Sequence, residues 1–501
     1  MWLVTALVAQ AHVPATNVIE TVDQRTLATR PNAPWAVEPV GDDGLVIYTE
    51  DRGVMVARHY DNDLSLQWSV PLPEIVTDAP LRTLYRDDAA WAVFQRRALA
   101  LVTRHNVRDG TYQAWFVPLK HRSRRVVDFE MVGKDAWLVM VDGRSDQGGG
   151  LRHLDLKSGV SKAVSLPRTP ETIELQRLTA DPDRGVVDVS YRTALEGRYT
   201  QHVAVAKAGR LTNDIVLQVP DLNLLDIQRH VLDEGHQLAV GTYADEATGT
   251  RAQGFYAARF DPSGHLTYVA THSFSSLGHF FDDLPPERRN QKRKQVAERQ
   301  RRGSDVDIDV RFATHDAQLH DGRIVVSGEI FVPRLGTVPR VVMVDVDGGV
   351  RAQTLDVGDG YWFTHAIVAA IDPDGSVAWD ASLPMRNVGG SRIEPHVKVG
   401  LDGDVATLAY ASGERLVSRV FHRGILVEDR AETELVPYDR TLVRSQSMTV
   451  EPWFDNQWVS YGAQRLRNGG ARQFVIERLV AAPELPATPP QATLTPLKPT
   501  N

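Results

Sequence analysis

The chain contains no cysteine. That absence excludes a disulfide framework, a thiolate-ligated zinc or iron–sulfur centre, a thiol nucleophile and a lipid anchor built on cysteine. Long apolar runs are missing too: no stretch approaches the roughly eighteen uninterrupted apolar residues that a membrane-spanning helix needs. There is no Gly-x-Ser-x-Gly elbow, no His-Glu-x-x-His, no Gly-x-x-x-x-Gly-Lys-Ser/Thr and no Gly-x-Gly-x-x-Gly opening a helix, so the familiar motif-bearing enzymes drop out. Nor is positive charge in excess. With 56 Lys and Arg against 64 Asp and Glu, a net charge of -8, the surface as a whole is not built for nucleic acid, and no such partner is expected.

What remains is an ordinary globular mixture, 501 residues of which 42% are hydrophobic and 24% charged, long enough to bury a large core. Residues 1–11 are apolar apart from Thr5 and Gln10, and Ala9-Gln10-Ala11 reads as a small-x-small cleavage site. A signal peptide over 1–11 and a periplasmic or extracellular location are therefore expected, although the first Lys or Arg is Arg25; the alternative is an N-terminal strand. At the other end, six prolines (Pro483, Pro486, Pro489, Pro490, Pro496 and Pro499) make 483–501 a tail rather than a domain.

Between the ends, residues 17–480 carry short apolar runs separated at close intervals by Gly, Asp, Asn and Pro. Examples begin at Gly44, Ala136, Val186, Gln237, Arg323 and Asp404, each about one strand long. Helical spacing is almost absent, so a parallel α/β fold, which needs a crossover helix per strand, is a poor fit. The chain reads as all-β and antiparallel. A hairpin recurs in it, with an Asp-containing turn followed by an aromatic seven residues after the first Asp: Asp61 to Trp68, Asp261 to Tyr268 and Asp372 to Trp379. Pro after Asp pre-sets the turn, Gly accepts positive φ, and the departing strand carries an aromatic able to pack between sheets.

This hairpin resembles the outer-strand signature of PQQ-like, or quinoprotein-type, β-propeller repeats, most clearly over residues 369–379. Segments 240–243, 254–260 and 360–370 also look like parts of secreted bacterial propeller-like proteins of unknown function. The resemblance implies a propeller of four-stranded antiparallel blades; at about 45 to 65 residues each the core would hold six to eight, and seven is favoured. Radial closure would hide the sheet edges without disulfides.

One segment breaks the pattern. Residues 287–302 carry eight basic and two acidic side chains, Pro285 and Pro286 suit a first helical turn, and Gly303 is placed to stop the helix, so a basic helical insertion over 285–303 is expected. A solvated insertion is favoured over a polyanion-binding arm. The following alternation predicts a strand with Asp305, Asp307 and Asp309 on one face, a set of oxygen donors suited to Ca²⁺ or Mg²⁺, against the plainer reading of a wet strand face. No other cofactor is predicted. His315 and His320, five apart in a strand, point to opposite faces and should not form a metal pair.

Tyr361, Trp362 and His365 form an aromatic-rich segment readable as a ligand platform on a propeller face or as packing between blades. Acidic residues are too plentiful to single out a catalytic pair. The favoured function is a binding or scaffolding propeller, monomeric, holding a protein or glycan partner on a loop face. The alternative is a propeller enzyme, either a glycan hydrolase or lyase using carboxylates and His, or a quinone-dependent oxidoreductase. The latter is weakened because the vicinal cysteines of many such dehydrogenases are impossible here. Acids and histidines clustered in a central channel would favour the enzyme; an apolar plug with aromatics on a loop face would favour binding.

Overall fold

The computed structural model describes residues 19–481 apart from 30–33, 122–123, 143–144, 167–171, 233–234, 246–248, 303–305, 307, 335–336, 347–348, 359, 436–442 and 468–471. The apolar N-terminal run and the Pro-rich tail lie outside the described residues.

Among the described residues, eight antiparallel sheets of four or five strands follow one another along the chain, with a ninth, two-stranded sheet set within the sixth. Blades 1 to 7 occupy residues 35–71, 82–118, 124–164, 172–217, 223–273, 311–390 and 398–434. Blade 8 combines 443–481 with the strand Ile19–Thr29 from the other end of the chain, which pairs antiparallel with Arg472–Ala481. Each sheet shares an apolar cluster with the next: Val46, Tyr48 and Phe94 join blades 1 and 2, for example, and Val37, Ile47, Tyr461 and Phe474 join blades 8 and 1. The same holds for every other neighbouring pair. A cyclic chain of face-to-face contacts is a propeller, and the N-terminal strand closes it. The count is eight, at the top of the expected range and not the favoured seven, because blades are tighter than assumed: blades 1 and 7 span only 37 residues each (35–71 and 398–434).

The six apolar runs picked out from the sequence are the second strands of blades 1, 3, 4, 5, 6 and 7. They read as near-continuous apolar because a middle strand is covered on both faces, as in Leu45–Asp51 and Val186–Leu195. Outer strands such as Leu66–Pro71 are half exposed and alternate.

The Asp-to-aromatic hairpins are turns between third and fourth strands. Asp61 Oδ1 accepts from the N–H groups of Asp63 and Ser65, and Asp261 Oδ1 from those of Ser263 and His265, which fixes each turn. The aromatic then reaches the next blade: the Trp68 indole donates to Val107 O (2.7 Å) and the Tyr268 hydroxyl to Pro373 O (3.5 Å). Trp68 lies over Gly110, where φ is +70° and an added Cβ would stand 2.8 Å from the ring. Glycine is required there twice over, by its backbone conformation and by the close approach.

Two connections are elaborated. Blade 6 carries an additional hairpin, Thr337–Val346 with Gly349–Gly358, between its second and third strands. The connection from blade 5 to blade 6 contains the helix α1, Pro286–Arg301, where the basic run predicted one. Only Val296 of α1 is buried. The segment before it is anchored on Asp282, a buried carboxylate that meets His279 (2.9 Å), Arg293 (3.2 Å), Arg419 (3.4 Å) and Arg289 (3.5 Å).

After α1 the strand predicted from residue 305 begins, among the described residues, only at Arg311. Val306, Ile308, Val310 and Phe312 do turn inward onto the cluster between blades 5 and 6, and among the described residues the pairing before Arg311 is one bridge from Val310 to Ala252. Asp305 and Asp307 lie outside the described residues. Asp309 is exposed and pairs with Arg251 at 3.3 Å.

Candidate functional site

The turns joining first to second and third to fourth strands lie at one end of the ring, here the proximal end. The blade-to-blade connections and α1 lie at the distal end. Two features stand out: a ring of charge on the innermost strands and a cleft at the proximal end.

The ring comes from the innermost strands. Lys398 of blade 7 pairs with Glu451 of blade 8 (2.7 Å), and Arg86 of blade 2 faces Glu130 of blade 3 (3.7 Å). Arg82 of blade 2 reaches Asp128 of blade 3 (3.7 Å) and Asp316 of blade 6 (3.4 Å), while Arg177 of blade 4 reaches the other Asp316 oxygen (3.1 Å). Blades 2 and 6 are opposite in an eightfold ring, so the Arg82–Asp316 contact crosses the axis. It can do so because the inner strand of blade 6 is broken between Arg311–Thr314 and Gln318–His320, letting residues 315–317 project inward. Gln228 of blade 5 pins that break, donating to His315 O (2.8 Å) and accepting from Ala317 N–H (2.6 Å).

Electrostatics divide the ring's acids. Burial works against the charge of Asp316, but Arg177 and Arg82 outweigh it and hold the carboxyl below its usual range. Burial pushes Glu38 up to about 7 despite a hydrogen bond from Thr83 and the nearby Arg82, and pushes Glu130 up to about 7 against Arg86. Behind the ring, Glu329 has no exposed surface, accepts from the N–H groups of His396 and Val397 (2.6 Å each) and lies 3.1 Å from His396 Nδ1 and 3.4 Å from His315 Nε2. Burial would raise it, yet these hydrogen bonds and imidazoles take it down to about 2.

The cleft, of about 710 Å³, opens at the proximal end where blades 4, 5 and 6 meet, a volume in the range of small-molecule sites. Blade 4 supplies Asp181, which pairs with Arg184 (3.4 Å), and Asp188, held in a buried two-point pair by Arg229 of blade 5. Blade 5 also supplies His230, His236 and Arg259; blade 6 supplies Leu319, Gly322 and Pro373. Burial, aided by Arg177, lowers His230 to about 4, so it is neutral at pH 7.

The residues expected to form a ligand platform do not converge. Tyr361 packs edge-on against Phe331 (5.4 Å between ring centres). His365 is buried inside blade 6, with Nδ1 3.1 Å from Thr364 Oγ1 and 3.8 Å from Asp283. Trp362, 38% exposed, lines a smaller distal pocket of about 390 Å³ with Asp283, Thr364 and Arg386. Its ring is covered by the Arg334 guanidinium (4.8 Å) and abuts the backbone at Gly389. His315 and His320 part as expected: His315 faces Glu329, while His320 Nε2 contacts Gly403 O of blade 7 (2.9 Å). Among the described residues no three His, Asp or Glu are grouped to hold a metal ion, and no helix is long and apolar enough to cross a membrane.

No protein-family model matches the chain, and no curated protein matches it in sequence. Solved structures similar to it include the polysaccharide lyase Uly1, 9% identical, covering 92% of this chain and 99% of that one, with a TM-score of 0.44. The WD40 domain of SCAP from fission yeast is also 9% identical, covering 92% and 97%, with a TM-score of 0.44. The β-propeller domain of the Trilobed protease from Pyrococcus furiosus is 8% identical, covering 88% and 97%, with a TM-score of 0.34. The sheet order and the cyclic packing, not these likenesses, establish the propeller.

Proposed function

We propose that the protein is a binding propeller rather than a catalyst, and that it takes its ligand or partner at the proximal end, in the cleft beside blade 5. The observation that carries this reading is the charge pairing of the channel. Acids do cluster there, the arrangement expected of an enzyme, but Asp316 and Glu451 are held in close ion pairs, and Asp128 and Glu130 each lie 3.7 Å from a guanidinium. A general acid or base must exchange its proton with substrate, and a carboxylate committed to an Arg is a poor one. Glycan or protein partners outside the cytoplasm fit the reading, the export expectation resting on residues 1–11.

One observation favours the enzyme as a second reading. Glu38 and Glu130 are pushed up to about 7 on the ring that holds ionised Asp316, and glycoside cleavage pairs a protonated with an ionised carboxyl.

A melting-temperature screen against small metabolites and oligosaccharides separates the two, using wild type, Leu319→Trp to fill the cleft, and Glu130→Gln. Binding at the cleft predicts stabilising compounds whose effect is lost in Leu319→Trp and kept in Glu130→Gln. Compounds that survive the filled cleft but fail with Glu130→Gln would move the site into the channel.

A further inference from the structure

We infer that the cleft recognises a small organic acid, its oxyanion held by Arg259 and its hydrocarbon body lying against blade 6; this rests on the binding reading above. Most of the charges lining the cleft are already paired. Asp188 is taken by Arg229 and Asp181 by Arg184, and Asp183 stands exposed on the rim of the turn. Arg259 is different: it is only partly exposed and, among the described residues, makes no ion pair or side-chain hydrogen bond, its charge being felt at a distance by Asp374 of blade 6. A guanidinium set in a concave site offers a planar fork of donors suited to a carboxylate or similar oxyanion.

Register places a histidine on the same sheet face. His230 lies opposite Leu238, and Leu238 opposite Arg259, across three neighbouring strands of blade 5. Residues directly opposite in antiparallel strands share a sheet face, so His230 and Arg259 point the same way, two strand spacings or about 10 Å apart at the backbone. That face looks at blade 6, because Leu238 packs in the cluster between blades 5 and 6. His230 Nε2 and His236 Nδ1 are both buried and without a hydrogen-bond partner. Both nitrogens are closed off from solvent, so the histidines shape the wall of the cleft and the oxyanion contact falls to Arg259.

The remaining wall is apolar. Leu319 and Pro373 of blade 6 and Val231 and Leu232 of blade 5 offer contact but no hydrogen bonds. A guanidinium beside an aliphatic wall, in a cleft of about 710 Å³, suits a small molecule bearing an acid at one end rather than a bare inorganic anion. The apolar wall also makes the acid's body, not only its charge, count.

The test is calorimetric titration with matched pairs in which only the acid is changed: hexanoate and hexanamide, benzoate and benzamide, glucuronate and glucose. Wild type should bind at least one acid ten-fold or more tightly than its neutral partner, Arg259→Gln should erase that preference, and Arg259→Lys should restore part of it. Circular-dichroism melts of each variant confirm that the fold is retained. Equal binding of acid and neutral partner, indifference to Arg259→Gln, or no binding of any acid overturns the inference. If a neutral compound binds and Leu319→Trp abolishes it, the organic acid falls while the binding reading stands; if bound compounds ignore Leu319→Trp, the binding reading itself fails.

Discussion

Glu329→Gln removes a charge from a site with no exposed surface, where two backbone N–H groups and two imidazoles converge. The carboxyl falls from 4.5 to about 2 on folding. A depressed carboxylate contributes stability that is present above its unfolded value and is lost as pH falls through its folded value. The difference of about 2.5 units corresponds to about 3.4 kcal/mol at pH 7, at about 1.36 kcal/mol per unit. At pH 3.5 the same two values leave about 2 kcal/mol, because the unfolded chain is then mostly protonated. Urea unfolding of wild type and Glu329→Gln at pH 7 and pH 3.5 should therefore show the gap between them narrowing by about 1.4 kcal/mol. A gap that is constant with pH, or below about 1 kcal/mol at pH 7, refutes the assignment of Glu329 as an ionised anchor for the loop that carries Asp316.

Three further outcomes follow from the packing. Arg229→Met strands Asp188 without its partner and should cost about 3–5 kcal/mol, whereas the double variant Asp188→Leu/Arg229→Met should recover most of it in the same unfolding assay. Glu477, fully buried in the closing blade and hydrogen-bonded by Gln24, is pushed up to about 7 by burial, so the stability it brings is present in acid and lost as pH rises through 7. Glu477→Gln should thus gain on wild type by about 2 kcal/mol between pH 5 and pH 8, and a loss over that interval contradicts the sign. Gly110→Ala should destabilise by more than about 1 kcal/mol, read from thermal melts, since both the left-handed backbone and the Trp68 ring oppose a Cβ.

The parts of this fold legible in the sequence are those written locally. A middle strand needs apolar side chains on both faces, so six second strands announced themselves, and an Asp that caps its own turn leaves a fixed distance to the aromatic that follows. Blade 8 was hidden because its outer strand, Ile19–Thr29, lies more than four hundred residues from the strand it pairs with. The charge ring was hidden for a related reason: Arg82, Asp128, Arg177 and Asp316 are unremarkable in their own segments and meet only when blades from opposite sides face the axis. Tyr361, Trp362 and His365 show the converse, since neighbours in a strand point to alternate faces and a register shift between Phe363 and His365 turns them further apart. His230 and Arg259 align only through pairing across three strands, which no local motif encodes.

The central claim is that the channel acids are structural and that the protein binds without converting what it binds. Prolonged incubation of the full chain with neutral and acidic polysaccharides, esters and peptides, followed by mass spectrometry of the products, tests it most directly. Wild type should leave every substrate unchanged. Conversion of any of them by wild type that Glu130→Gln abolishes, in a variant whose melting curve is intact, contradicts it.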